Sequence, residues 1–398
     1  MHTPISKLLT ACLLAARYSM AQGPPGMPPW ANNGGHPQVD PLAGSPWSPQ
    51  PGAVGIPGYR PGAGGPPGGW QAAPLGMPPG GAPPGMPGAP PNGAPPGMSG
   101  PPPGAAYGIA SAGPEPSSVK AGGESELQLE QGFPGRPTKC AMYTYVPKTY
   151  KNGNPLVVAL HHCGGTGTGY FRENADWAAA ADRKGFMMIF ASSPGGTGGC
   201  WDVSSQSSLK HDGGGDSQTI ANMVSYAQKK YGAGKQVYVV GHSSGAMLTQ
   251  VMGATYPDVF LAGAAYSGVP AGCFRTDKPQ GADWNSTCTG GTLNEPPAYW
   301  AQQAKDMYPG YKGSRPRMML VHGNRDQVIN FNDHREATKQ WCTLHNLDPE
   351  SPTKKYALPS QPNYEVSVYG SSVMAITADG VTHDNPAKVD ETCQFWGL

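Results

Sequence analysis

From about residue 125 onward, short apolar runs alternate with stretches whose apolar residues recur at helical spacing. Pro155-Leu156-Val157-Val158-Ala159-Leu160 is apolar without alternation, the pattern of a strand buried on both faces. Residues 141–146, 186–191, 237–240, 261–267, 317–321, 364–368 and 373–376 read as further strands. Helices are predicted over 174–184, over 217–231 with Asp216 as N-cap, over 246–252, 299–307 and 331–347, and in a last turn from Pro386. Strands alternating with helices predict an α/β fold, a mostly parallel sheet with helices on both faces. Residues 125–398 are enough for one such domain.

Upstream of 125 the pattern is missing. The chain of 398 residues holds 58 Gly and 46 Pro, spread unevenly. Residues 22–118 are of low complexity, with Pro-Pro-Gly-Met recurring at Pro83-Pro84-Gly85-Met86 and at Pro95-Pro96-Gly97-Met98. Between Gln22 and Pro114 the charged residues are Asp40 and Arg60 alone. Such a segment buries too little apolar surface to offset its ordering entropy, so a disordered Pro/Gly-rich tail is expected. Glycine is not at every third position, which excludes collagen. Trp30, Trp47, Trp70 and Tyr107 stand singly along it.

Residues 1–21 have the form of a secretory signal peptide. Lys7 precedes a short apolar run over 8–16, and Ser19-Met20-Ala21 offers a cleavage site ahead of Gln22. An exported, extracellular chain is the expectation. No other stretch is apolar for long enough to span a bilayer, so no membrane partner is expected. Net charge is +1, with no basic run interleaved with aromatics, which counts against nucleic acid as a partner.

The chemistry concentrates at Gly241-His242-Ser243-Ser244-Gly245, between a predicted strand and a predicted helix. Strand, Gly-x-Ser-x-Gly, helix is the nucleophile elbow of an α/β-hydrolase. The glycines leave room for a sharp turn, and Ser243 comes to a helix N-terminus, which favours negative charge. A serine nucleophile needs a base to take its proton and an acid to orient the base, and in this fold the order is Ser, acid, His. Asp326 lies in the loop leaving the 317–321 strand, and His383 follows the last strand. Asp333 and Asp384 are rival acids, and His322 and His334 rival bases. Two oxyanion donors are expected, the N–H of Ser244 and that of Cys163 in His161-His162-Cys163-Gly164-Gly165. The adjacent histidines make a poor chelate, because neighbours at a strand end point opposite ways; no metal or cofactor is expected.

Beyond the elbow, several blocks carry a resemblance. They are Cys200-Trp201-Asp202-Val203-Ser204-Ser205-Gln206, Gly213-Gly214-Gly215-Asp216-Ser217, Ile220-Ala221-Asn222-Met223-Val224, Tyr266-Ser267-Gly268-Val269-Pro270-Ala271-Gly272-Cys273 and Met307-Tyr308-Pro309-Gly310-Tyr311, followed by Gly313-Ser314-Arg315-Pro316. In these the chain from about 127 to 398 resembles the fungal-type acetylxylan esterases of carbohydrate esterase family one, relatives of feruloyl and polyhydroxybutyrate-depolymerase-like esterases. The resemblance implies a secreted, lidless α/β-hydrolase that acts on plant cell-wall esters without a metal. Removal of acetyl groups from xylan by a monomer is the expectation, with two alternatives open: a feruloyl or other short-chain esterase, and a wall-associated binding protein on a non-catalytic hydrolase fold. The resemblance also implies Ser243, Asp326 and His383 as nucleophile, acid and base, and Trp201 and His162 as substrate contacts. His162 stands where the family often has an aromatic residue, and Cys140, Cys342, Cys393 and the tail are foreign to its pattern.

Of eight cysteines, Cys12 leaves with the signal peptide, so seven remain. Export favours disulfides. Cys163 and Cys200 lie in loops at one edge of the sheet and are expected to pair, bracing the oxyanion loop. Cys273 and Cys288 bracket a polar insertion, whose closure is worth roughly 3 kcal/mol in the chain-entropy model. Asn285-Ser286-Thr287 inside it is a glycosylation sequon. Cys342 and Cys393 form the expected third pair, leaving Cys140 free.

Overall fold

The computed structural model describes residues 115–194 and 199–398. The expected signal peptide over 1–21, and the tail up to 114, lie outside the described residues.

In chain order the strands are β1 (Ser118–Val119), β2 (Leu127–Leu129), β3 (Ala141–Tyr145), β4 (Leu156–Leu160), β5 (Met187–Ser192), β6 (Val237–His242), β7 (Ala262–Tyr266), β8 (Arg317–Gly323), β9 (Lys354–Leu358), β10 (Gln361–Tyr369) and β11 (Val373–Ala378). The helices are α1 (Gly167–Glu173), α2 (Asp176–Lys184), α3 (Asp216–Tyr231), α4 (Ser244–Thr255), α5 (Ser286–Thr289), α6 (Pro297–Lys305), α7 (Asn332–Leu344) and α8 (Val389–Trp396). The strands form one sheet in the order β1-β2-β3-β5-β4-β6-β7-β8-β11-β10-β9.

The sheet is mixed rather than mostly parallel. The six central strands, from β5 to β11, pair in parallel. Antiparallel ribbons extend it at both ends. The continuous apolar run of β4 has a direct cause. Leu156, Val158 and Leu160 pack with α3 and α4 on one face, and Val157 and Ala159 pack with α1, α2 and α8 on the other. The chain runs from β4 to β5 on one side and returns to β6 on the other, so loops diverge at the carboxyl ends of β4 and β6. Open α/β sheets bind ligands at such a switch point.

Three expectations are corrected here. Structured chain starts before residue 125: β1 pairs with β2, and the Glu115 carboxylate accepts from the Thr168 hydroxyl at 3.0 Å. Asp216 is the first residue of α3 and not its cap; Gly215 holds the cap position, and the Asp216 carboxylate accepts from the Asp202 N–H at 3.0 Å. Cys342 and Cys393 are both free and buried. They are on helices that cover opposite faces of the sheet, Cys342 beside Trp341 on α7 and Cys393 beside Phe395 on α8, so no bond can join them. Cys140 is also free and buried.

Candidate active site

β6 delivers Ser243 at φ 55° and ψ −120°, a left-handed backbone that a non-glycine residue holds only under constraint. The constraint is visible. The Ser243 N–H donates to Tyr266 O at 2.9 Å, and its carbonyl accepts from Met247 N–H at 3.0 Å to start α4. A Cβ at Gly241 would run into the Gly245 carbonyl, and one at Gly245 into the Leu160 carbonyl. Both glycines are therefore required by close backbone approach.

Ser243, His383 and Asp326 meet at the carboxyl edge of the sheet. His383 Nε2 is 2.9 Å from Ser243 Oγ, and His383 Nδ1 is 2.7 Å from Asp326 Oδ2. Asp326 Oδ1 accepts from the Val328 and Ile329 N–H groups, each at 2.9 Å. Its Oδ2 is also 3.1 Å from His322 Nε2. Burial alone would raise this carboxyl's pKa, but the bonds from His322 and His383 overcome it and hold the group well below the usual carboxylate range. His242 Nε2 lies 2.9 Å from the His383 carbonyl and steadies the loop that presents the imidazole. Burial and the neighbouring His383 push His242 down to about 3, so it is the neutral donor there.

The rivals sit elsewhere. His322 binds Asp326 instead of Ser243, a supporting role that spacing did not announce. His334 is buried and pushed down to about 3 by that burial. Asp333 is buried at the start of α7, and Asp384 lines a pocket beside the triad.

The loop after β4 carries one of the expected oxyanion donors, and the start of α4 carries the other. Cys163 is joined to Cys200, and Ser244 opens α4, where the first N–H groups have no intrahelical acceptor. The two histidines point apart. His161 accepts from the Ser193 N–H at 3.0 Å through Nε2, and burial pushes it down to about 4. His162 Nε2 pairs with Glu173 Oε2 at 3.0 Å. Burial works against the His162 charge, but Glu173 outweighs it and raises the pKa, while the Glu173 carboxyl is lowered in turn.

Trp201 is corrected as a substrate contact. It is 1% exposed, and its indole N–H donates to the His161 carbonyl at 2.9 Å. It braces the loop from beneath. His162, by contrast, lines a pocket of about 240 Å³ together with Tyr170, Glu173, His242, Tyr266 and Asn385.

Cys273 and Cys288 are joined, and Asn285 caps the short helix α5 between them. Its Oδ1 accepts from Thr287 and Cys288 N–H, and the nitrogen a glycan would use donates to Cys273 O at 3.0 Å. Among the described residues Cys273, Cys288 and Asp333 group as metal ligands would, but the two sulfurs are bonded to each other. No helix of the described residues is long and apolar enough to cross a membrane.

Comparison with known proteins identifies the family. The family described as Esterase PHB depolymerase matches residues 140–349. Acetylxylan esterase A of Aspergillus ficuum is 46% identical over 273 residues, 68% of this chain and 89% of that protein. Probable acetylxylan esterase A of Aspergillus niger is 45% identical over the same shares. The solved acetyl xylan esterase from Aspergillus awamori aligns with a TM-score of 0.66 at 45% identity, over 68% of this chain and 98% of that one. The fold is thus that of an α/β-hydrolase-like esterase, and the chain belongs to the acetylxylan esterase A family.

Proposed function

We propose that this protein is a secreted serine esterase that removes acetyl groups from xylan of plant cell walls. The observation that carries the reading is the hydrogen-bonded chain Ser243 Oγ, His383 Nε2, His383 Nδ1, Asp326 Oδ2, with links of 2.9 and 2.7 Å. His383 takes the serine proton as Oγ attacks the acetyl carbon. The carboxylate of Asp326 fixes the tautomer and supports the imidazolium that forms. The N–H groups of Ser244 and Cys163 hold the oxyanion, and the bond from Cys163 to Cys200 keeps the second donor in place beforehand. His383 then protonates the departing sugar oxygen, which leaves as the free hydroxyl, and water reverses the sequence on the acetyl-serine to release acetate. The step needs no metal or cofactor, and one chain supplies every group.

Secretion is supported by the leader-like residues 1–21 and by two disulfides, which persist in oxidising compartments. The Pro/Gly-rich tail serves as a spacer to wall material, Asn285 is a glycan site, and the cleft is open without a lid. The test is a pair of initial rates, acetate release from acetylated xylan against hydrolysis of methyl ferulate. A clear preference for the ferulate would overturn the acetyl reading. Hydrolysis of neither, with an active aryl acetate control, would overturn the polysaccharide.

A further inference from the structure

The pocket beside the triad has a second cavity as its neighbour. The pocket that holds His162 and His242 reaches Pro386 and Ala387. Ala387 is also a wall of a second cavity, of about 320 Å³, where α2 meets the start of α8. Asp176, Arg183, Gln361, Lys388 and Glu391 line this second cavity.

Two nitrogens beside these cavities lack a fixed acceptor among the described residues. Lys388 is 6% exposed, which is rare for a lysine without a partner. Its ammonium rests on the face of Tyr364, 4.2 Å from the ring centroid, and among the described residues it has no hydrogen-bond acceptor or ion pair. Asn385 is 3% exposed; its Oδ1 accepts from the Tyr364 hydroxyl at 3.2 Å, and its Nδ2 has no partner. One tyrosine thus touches both residues, its ring beneath Lys388 and its hydroxyl against Asn385. Asn385 Nδ2 is a buried donor left unmade, which is costly, while the Lys388 ammonium belongs to the cavity lining, where a ligand can supply the acceptor it lacks.

The charges around the second cavity narrow the class of that acceptor. Lys388 and Arg183 stand among Asp176, Asp390 and Glu391, and Arg183 is paired with Asp390 at 3.3 Å. An anion would meet the carboxylates and a cation the ammonium. A neutral polyol fits both, because each hydroxyl donates as well as accepts. The cavity is at the lower end of the roughly 300–1,000 Å³ that drug-sized ligands fill, a size for a single ring.

We infer that the second cavity is a distal subsite that holds a neutral sugar ring of the polymer chain, with Lys388 donating to its hydroxyls and Asp176 and Glu391 accepting from them. The inference rests on the polysaccharide reading above. It assigns Lys388 to substrate length rather than to the chemical step, since binding far from the reacting bond acts on KM unless it is used to strain the substrate.

The experiment measures kcat and KM on acetylated xylo-oligosaccharides of increasing length, with an aryl acetate as reference. Wild type, Lys388→Met and Asp176→Asn are compared. Met keeps an unbranched chain on Tyr364, and Asp176 is an exposed residue of α2, so both variants keep the fold. Wild type is expected to gain about tenfold in kcat/KM once the substrate reaches the second cavity, and each variant to lose most of that gain through KM. A wild-type kcat/KM independent of length overturns the subsite. So does an equal loss on short, long and aryl substrates, which marks a structural role. Cleavage of the aryl acetate without any deacetylation of xylo-oligosaccharides overturns the polysaccharide reading, and the subsite with it.

Discussion

The loop after β8 and the first turn of α7 each bury a carboxyl group, and the two groups behave in opposite ways. Asp326, in the loop, faces four donors: two backbone N–H groups and the rings of His322 and His383. Asp333, seven residues on and 1% exposed, has an Oδ2 without any partner, and its Oδ1 faces the Cys288 sulfur, which is bonded to Cys273. Burial, with the charges of Glu336 and Asp326 adding to it, pushes Asp333 up to about 8. Asp326 is held far down. Similar burial therefore yields a permanent anion in one place and a neutral acid in the other. The number of donors decides, and only the anion can support an imidazolium.

The largest test of this contrast is catalytic. Asp326→Asn should lower kcat by about 10⁴, because an amide favours the wrong histidine tautomer. Ser243→Ala should lower it by on the order of 10⁴ to 10⁶ and leave the thermal midpoint near that of wild type. Asp333→Asn should stay within a few-fold of wild type. Steady-state rates on an aryl acetate compare all three. A loss at Asp333 as large as that at Asp326 would erase the distinction.

The contrast also shows what could be read from the chain alone. Gly241 and Gly245 announced the elbow because their need is local, a turn too tight for a Cβ. Asp326 could be placed at a strand end but not separated from Asp333 by residue type, since the donors that make it an anion come from Val328, Ile329, His322 and His383 in the folded chain. Trp201 belonged to a conspicuous block, yet its ring faces the core, and only packing shows that. Cys342 and Cys393 share a helical pattern while the sheet lies between them. At the sheet ends, Lys354–Leu358 is mostly exposed and Ser118–Val119 is only two residues long, so they lack the apolar signature that marked the central strands.

Stability against pH gives the second test. A carboxyl pushed up to about 8 stays protonated in the folded chain, while the unfolded chain ionises it near 4. Below pH 4 both states hold the proton and the group is neutral in effect. As pH rises from about 4 to 8 the unfolded state gains stability by ionising, so wild type loses stability across that window. Asp333→Asn keeps the shape and removes the titration. Its unfolding free energy relative to wild type should be level near pH 3.5 and rise steadily to pH 8, by on the order of a few kcal/mol. A difference that is flat over this range would mean that Asp333 does not hold its proton.

The smallest effect is expected at His322, and it moves Asp326 one step toward the condition of Asp333. His322 Nε2 stands 3.1 Å from Asp326 Oδ2 and 3.0 Å from Ile329 O, so one N–H is shared between two acceptors. His322→Phe keeps a ring in a buried site and removes that donor. Three donors remain, so Asp326 stays an anion, but it is less firmly aimed at His383. A hydrogen bond to a charged group is worth about 1.5–3 kcal/mol, and here only a share of one is lost, so kcat should fall about tenfold. The pH dependence of stability fixes the cause. A depressed carboxyl contributes stability that is present above its unfolded value near 4 and is lost as pH falls through its folded value. Without His322 the depression is smaller, so the variant should trail wild type in thermal midpoint at pH 7 and draw level with it as pH falls well below 4. A fall of 10⁴ in kcat would place His322 in the proton path instead. Wild-type kcat together with an unchanged midpoint would show that the fourth donor does nothing, and that three suffice to separate Asp326 from Asp333.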